Sequence, residues 1–509
     1  MASLLNPLYD MYNSVANTLF GTPEGDDVIQ IYGNAEKAPL THIGADGAFY
    51  IHGVRYNIDP NGYIGGGSFG VVWLAQRDPT AKKFDFDPNA GRTYDSLVER
   101  HYADFVYKLL NAPECCVKLV QVERSTATRG EDYKRELELQ SEAGRFVQGV
   151  LAILAATPPP ADGVGPVTID PKWIEKRNPP GSGRLKKGGP CEGSHWAVIA
   201  VELADKGHLR KWTNPLSKDG DGQMTIIENE EERLRSLYTA QQQGLQEVAI
   251  ENAANFAGKE SVFGGVDGSG NEDLARGVLF RLLKNVQKLH RRNILHLDIK
   301  PDNITINHLW DLCIIDFGLA RKMDDPALRG PHGRQSGTAG FRAPDDILPD
   351  EKTDIFAIGM TLCCMLLSSD LVFAQSAGRN NQNDQFYDTY LAQETSLGLK
   401  KWAAQLQGWY SHPKYKYYPY RPRVRTECIS DKGARLCHRM VLRDRRLRPT
   451  ITECLADPWF QEGNLIRDNG EEWQKLVRQS LANTGHEGRS YWLQNHAGVE
   501  TQKFLAEEE

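Results

Sequence analysis

Three short strings in the sequence carry residue types suited to handling phosphate. The first is Gly65-Gly66-Gly67-Ser68-Phe69-Gly70-Val71-Val72, a G-x-G-x-x-G-x-V run. Glycine has no Cβ, so a glycine-rich backbone can bring its N–H groups close to phosphate oxygens. Taken alone the string is weak, because an ordinary bulged hairpin explains it as well. Its context narrows the reading: extended segments flank it on both sides, whereas the dinucleotide fingerprint runs from a strand into a helix. The second and third strings are His296-Leu297-Asp298-Ile299-Lys300-Pro301-Asp302-Asn303 and Ile314-Ile315-Asp316-Phe317-Gly318. Carboxylates, an amide and an amine crowd into a few positions there. Oxygen donors of that kind suit a hard divalent cation, and a lysine suits a phosphate. Any one of these side chains could be a solvated loop residue; the set is what points to chemistry.

The elements that must position them follow from the pattern along the chain. Phe49-Tyr50-Ile51 and Val54-Arg55-Tyr56, joined by His52-Gly53, read as a hairpin. Val71–Leu74 and Val117–Val122 read as strands, 131–156 as one long helical pattern, and Trp196–Leu203 as a further strand. Residues 157–193 are rich in Pro, Gly and Lys and read as a loop. Leu274, Val278, Leu282, Val286 and Leu289 make an apolar stripe on a later helix. Strands come first and helices afterwards, which predicts an α+β architecture in two lobes.

With these strings in order, the chain resembles a eukaryotic-type serine/threonine protein kinase over roughly 56–460. The family pattern is H-R-D-x-K-x-x-N followed by D-F-G, and only the Arg is replaced, by Leu297. The resemblance implies a bilobal protein-kinase-like fold. A small β-rich N-lobe would span 48–205 with an insertion at 78–113, and a larger helical C-lobe 206–460 with an insertion at 214–271. It implies ATP and Mg2+ as cofactors and protein Ser/Thr hydroxyls as acceptors.

It also assigns residues. Asp298 would orient the acceptor hydroxyl and take its proton, Lys300 would neutralise the transferred phosphate, and Asn303 and Asp316 would hold magnesium. In Cys115-Cys116-Val117-Lys118, the family's V-A-I-K pattern makes Lys118 the lysine of the α/β-phosphates. Glu136, Glu138 and Glu142 compete to pair with it. The family wants an apolar residue four positions on, and only Glu142 has one, Phe146, so Glu142 is the expected partner. The nucleotide would further meet Ile64, Gly65, Gly67, Gly70 and Val72, with Val201 as gatekeeper and the backbone of Glu202 and Ala204 reading the base. The activation segment would run from Asp316 to Asp345, with Ser336 and Thr338 its hydroxyls, and Arg448 reaching Asp345 in place of the family's Glu.

Leu297 is the most informative departure, because the missing Arg normally grips a phosphorylated activation-loop residue. Activity independent of loop phosphorylation is therefore expected. The alternative is a pseudokinase, a scaffold that binds nucleotide or a partner without turnover. A small-molecule kinase of the aminoglycoside type is disfavoured by the D-F-G, Gly337-Thr338 and Ala343-Pro344 features.

Composition bounds the rest. The 509 residues carry 60 basic and 67 acidic side chains and a formal net charge of -7, so a wholly nucleic-acid-binding surface is not expected. Nine cysteines without a C-x-x-C read as reduced thiols in a cytoplasmic setting, the nucleus remaining open. No signal peptide or transmembrane run is seen; the uncharged Ile355–Ser369 stretch is too short to span a bilayer and suits a buried helix. Residues 1–47 form an extension with a short amphipathic helix (Leu4, Leu8, Met11, Val15, Leu19), and 461–509 a helical tail. The basic, aromatic stretch 410–425 is a candidate docking loop for protein substrates.

Overall fold

The computed structural model describes residues 42–81, 105–122, 127–157, 168–169, 195–213, 262–264, 270–368, 428–461 and 470–483. Positions 45, 52–53, 68–69, 107–108, 205, 308, 330–336, 339–340 and 344–347 inside those spans are excepted. The expected amphipathic N-terminal helix, most of both insertions and the 410–425 loop lie outside the described residues. The described chain divides into two compact units, one ending at Leu203 and the other beginning at Ala204.

The first unit is built on strands. β1 (His42–Ile43) pairs in parallel with β7 (Thr168–Ile169). The main sheet has six antiparallel strands: β2 (Ala48–Ile51), β3 (Val54–Gly67), β4 (Gly70–Arg77), β5 (Glu114–Val122), β8 (His195–Val201) and β6 (Ile153–Ala156), in the order β2-β3-β4-β5-β8-β6. The expected first hairpin is present, with Phe49 opposite Tyr56 and Ile51 opposite Val54. Against one face lies α1 (Ala127–Phe146), whose Tyr133 and Leu137 pack on Val120, Ile153, Ala197 and Ile199.

The reading of 131–156 as a single helix is corrected here. The helix stops at Phe146, and Ile153–Ala156 leaves it to become β6, paired with β8. A short apolar run fits a buried strand as well as a buried helix turn, and here an open sheet edge decides the matter.

The second unit is mainly helical. It contains α2 (Leu209–Thr213), α3 (Glu272–Arg291), α4 (Glu351–Leu367), α5 (Asp431–Met440), α6 (Ile451–Leu455) and α7 (Gly470–Asn483). Two-stranded ladders join β9 (Ile294–Leu295) to β12 (Arg321–Lys322) and β10 (Ile304–Ile306) to β11 (Leu312–Ile314). All five residues of the expected stripe are buried on α3, whose first turn is capped by Asn271 accepting from Leu274 N. α4 opens with a capping box between Asp350 and Thr353 and is buried continuously from Asp354 to Leu367, so it is the unit's central helix. No helix among the described residues is long and apolar enough to cross a membrane. None of the eight described cysteines is in a disulfide.

Candidate active site

In the first unit, strand register sets the groups expected to meet a nucleotide in rows. Gly65 lies opposite Val72, Val72 opposite Lys118, and Lys118 opposite Ile199. The next row holds Leu74, Cys116 and Val201. Because side chains alternate faces along a strand, both rows project from the same face. Ile64, Val72, Leu74, Cys116, Val201 and Leu203 form one apolar cluster there, so three of the expected nucleotide contacts, Ile64, Val72 and Val201, are brought together. Along the glycine-rich segment, Gly66 lies opposite Val71 and Gly67 opposite Gly70.

Lys118 Nζ forms a short, partly buried ion pair with Glu136 of α1. The expected partner, Glu142, is corrected to Glu136. The buried face of α1 runs through Tyr133, Glu136, Leu137, Gln140 and Ala143, and Glu142 stands off it, half-buried. The demand for an apolar residue four beyond the glutamate misled the sequence reading. That position is Gln140, buried with its amide donating to Leu151 O at 3.3 Å.

Glu202 closes the unit. Its N–H donates to Ala152 O (3.0 Å) and its carboxylate accepts from Ala152 N (2.8 Å), so the backbone of Glu202 could meet a base only through its carbonyl. Ala204 is the first residue of the next unit.

In the second unit the catalytic string is knitted around Asp298, whose side chain is 4% exposed. Lys300 Nζ donates to Asp298 Oδ2 (2.8 Å) and to Thr338 Oγ1 (2.6 Å). Thr338 donates to Asp298 Oδ1 from both its N–H (2.9 Å) and its hydroxyl (2.6 Å). Asn303 Nδ2 donates to the Asp298 carbonyl (2.8 Å) and to Oδ2 (3.0 Å). One carboxylate is thus fixed by three side chains, which sets where a hydroxyl could meet it.

Asp354, at the start of α4 and fully buried, holds this loop from below. Its carboxylate accepts from His296 N (3.0 Å), Leu297 N (2.9 Å) and His290 Nε2 (2.9 Å). Burial pushes its carboxyl up, but the His290 hydrogen bond, the charges of both histidines and the His296 backbone bond outweigh it and hold the group below the usual carboxylate range. These bonds fix Leu297 with a left-handed φ of +63°, a conformation costing about 1–3 kcal/mol for a non-glycine residue. Gly337 adopts φ +104°, and a Cβ on it would sit 2.8 Å from Leu297 O, so only glycine lets the activation segment approach the loop this closely. The sequence reading marked the uncharged Ile355–Ser369 stretch, which Asp354 precedes, as a buried helix.

Leu297 itself is 5% exposed, packed with Leu295, Leu319, Met323 and Leu328. The β9–β12 ladder and the bond from Met323 N to Asn293 O (2.8 Å) hold the same part of the activation segment against the loop.

Asn303 and Asp316 are neighbours across the β10–β11 ladder, since Ile304 pairs with Ile314 and Ile315 N donates to Asn303 O at 2.9 Å. With both Asn303 amide hydrogens directed at Asp298, its Oδ1 is the atom left to face a ligand. An amide oxygen plus a carboxylate fits magnesium, which takes few protein ligands and shares the rest with phosphates and water. Asp302, between them and the lysine, pairs with Arg210 of α2 at 2.8 Å. Burial would raise its carboxyl, but Arg210, with His208 and Lys300, draws it down to about 2.

Arg448 is buried and bonds through its guanidinium to the carbonyls of Leu442, Lys352 and Arg443. Its expected partner Asp345, like Ser336, lies outside the described residues.

Residues 256–460 match the protein kinase domain family. The chain is 28% identical to mitogen-activated protein kinase 12 of Danio rerio over 206 residues, covering 38% of this chain and 52% of that protein. It is 29% identical to serine/threonine-protein kinase cds1 of Schizosaccharomyces pombe over 209 residues (38% and 37%). With serine/threonine-protein kinase/endoribonuclease IRE1 of Hypocrea jecorina it shares 36% identity over 111 residues (21% and 9%). The chain thus spans about half or less of the length of these relatives.

Proposed function

We propose that this chain, whose residues 256–460 match the protein kinase domain family, transfers the terminal phosphate of ATP to serine and threonine hydroxyls of proteins. The observation that carries the reading is the three-sided grip on Asp298 by Lys300, Asn303 and Thr338. A carboxylate so fixed can orient an acceptor hydroxyl and take its proton as the new oxygen–phosphorus bond forms and the bond to the departing ADP breaks. Lys300 neutralises charge on the phosphate in flight. Lys118, held by Glu136, is the group for the α/β-phosphates, and the Ile64–Val72–Val201 cluster offers an apolar surface for the base. Asn303 and Asp316 would hold magnesium, which when bound supplies charge neutralisation on the triphosphate.

Activity does not depend on activation-loop phosphorylation in this reading. The support is Leu297, packed into an apolar cluster with Leu328 where a phosphate-gripping Arg would stand. Thr338, one of only two hydroxyl residues between Asp316 and Asp345, is already bonded to Asp298 and Lys300. Protein substrates would dock through 410–425, and the protein would work in the cytoplasm, where its cysteines stay reduced.

The test is incubation of the purified protein with ATP, magnesium and a generic protein acceptor beside Asp298→Ala. Phosphate on Ser or Thr that vanishes in the variant is the expected result. ATP binding without transfer would replace the reading with a pseudokinase scaffold, and transfer only to small metabolites would replace it with a small-molecule kinase.

A further inference from the structure

The chain that enters the second unit is laced to the catalytic loop at successive points. Lys206 N donates to Ile306 O (3.3 Å), Thr305 Oγ1 donates to Gly207 O (2.7 Å), and His208 bridges Thr305 in antiparallel fashion. The last tie is ionic: Arg210 Nη1 donates to Asp302 Oδ1 at 2.8 Å, with the two side chains only 24% and 34% exposed. Asp302 and Asn303 share one 3-10 turn, Pro301–Asn303, whose own backbone closure is Asn303 N to Lys300 O at 2.9 Å. That turn has no side-chain cap from Lys300. Its C-terminal end is tied to β11, with Ile315 N donating to Asn303 O at 2.9 Å and Ile304 paired with Ile314, and its side chains are gripped from either side. On one side Asn303 is bonded to Asp298, and on the other Asp302 is bonded to Arg210.

We infer that Arg210 is a positioning residue for the metal-binding amide: through Asp302 it fixes the turn that aims Asn303 Oδ1 at magnesium. The inference rests on the kinase reading of Asn303. Loss of Arg210 unties the Asp302 side of the turn while the Asn303 backbone stays held by Ile315, so the cost falls on the aim of the Asn303 side chain and hence on metal affinity first. Groups that orient a metal ligand from behind typically change affinity by about 10- to 100-fold. The pair here is partly exposed, so about tenfold is the expected size.

The experiment uses the full chain and two readouts. One is the thermal stabilisation produced by titrating Mg2+ at fixed ATP, which needs no turnover. The other is turnover against Mg2+ concentration. Arg210→Ala and Asp302→Asn should each raise the Mg2+ midpoint about tenfold, with turnover at saturating Mg2+ much less affected. Arg210→Lys should recover most of the loss, and the double variant should be no worse than the poorer single one. A purely structural role would lower melting and turnover at every Mg2+ concentration and leave the midpoint in place, which overturns the inference. If Arg210→Ala proves unstable without ligand, Asp302→Asn and Arg210→Lys carry the comparison. A wild-type protein that shows the Mg2+-dependent stabilisation without transfer removes the proposed activity but leaves the positioning role decided by the midpoints. One that shows neither removes both.

Discussion

Trimming Leu297 to Ala tests whether apolar packing has replaced an ionic anchor under the activation segment. Leu297 is 5% exposed and Leu328 fully buried, in one cluster with Leu295, Leu319 and Met323. Truncating a buried leucine costs about 2–5 kcal/mol, the lost transfer energy plus the cavity left behind. A loss of about 3 kcal/mol would lower the melting temperature of a domain this size by roughly 6–12 °C. Leu328→Ala should cost a similar amount. Because the two side chains share one cavity, the double variant should fall short of the sum by about 0.5–3 kcal/mol. Melting curves for the four proteins give the cycle, and hydrogen exchange over 319–329 reports whether the segment loosens. Turnover should fall with each single change, while Ser336→Ala leaves it near wild type. Two results would refute the reasoning: strict additivity with unchanged exchange at Leu328, or loss of turnover in Ser336→Ala with melting unaltered.

Two other outcomes follow from the site. Glu136→Gln leaves Lys118 with a neutral partner and should cut kcat/KM at least about tenfold, or about 1.4 kcal/mol, whereas Glu142→Gln should change it little; equal effects in steady-state kinetics would return the assignment to the sequence reading. The Asp354 carboxyl is held below its ordinary value of 3.8, so its share of stability is full above about pH 4 and drains away as pH falls through the depressed folded value. Asp354→Asn should therefore be less stable than wild type at neutral pH, with the gap narrowing below about pH 4 in urea melts; a gap that widens on acidification would contradict the sign.

What the sequence made legible was local. Asp298, Lys300, Asn303 and Asp316 sit within a short reach of one another in the chain, and their types alone suggest the chemistry. The strand carrying Lys118 was readable for the same reason. Contacts between distant segments were not. Nothing near Arg210 announces Asp302, and nothing near Leu297 announces Leu328, because neither pairing leaves a periodic trace. Glu136 was hidden by a satisfied polar group: Gln140 looks wrong for a buried turn until Leu151 O is seen to receive its amide. β6 was hidden by ambiguity, since an apolar run of that length obeys both periods and only the free edge of β8 selects one.

The helix beyond the recognisable domain bears on where a folded fragment can be cut. α7 lays Trp473 against Gly277 of α3, where an added Cβ would come within 3.0 Å of the indole. The Trp473 indole N–H donates to Trp310 O at 2.7 Å, Arg281 lies 4.0 Å over its ring, and Arg478 lies 4.7 Å over Trp310. Asn271, the cap of α3, reaches Ser480 at 2.9 Å. A fragment ending at 460 would thus bare an indole-shaped slot and slacken the first turn of the helix that leads into the catalytic loop, so an expression boundary belongs after Asn483.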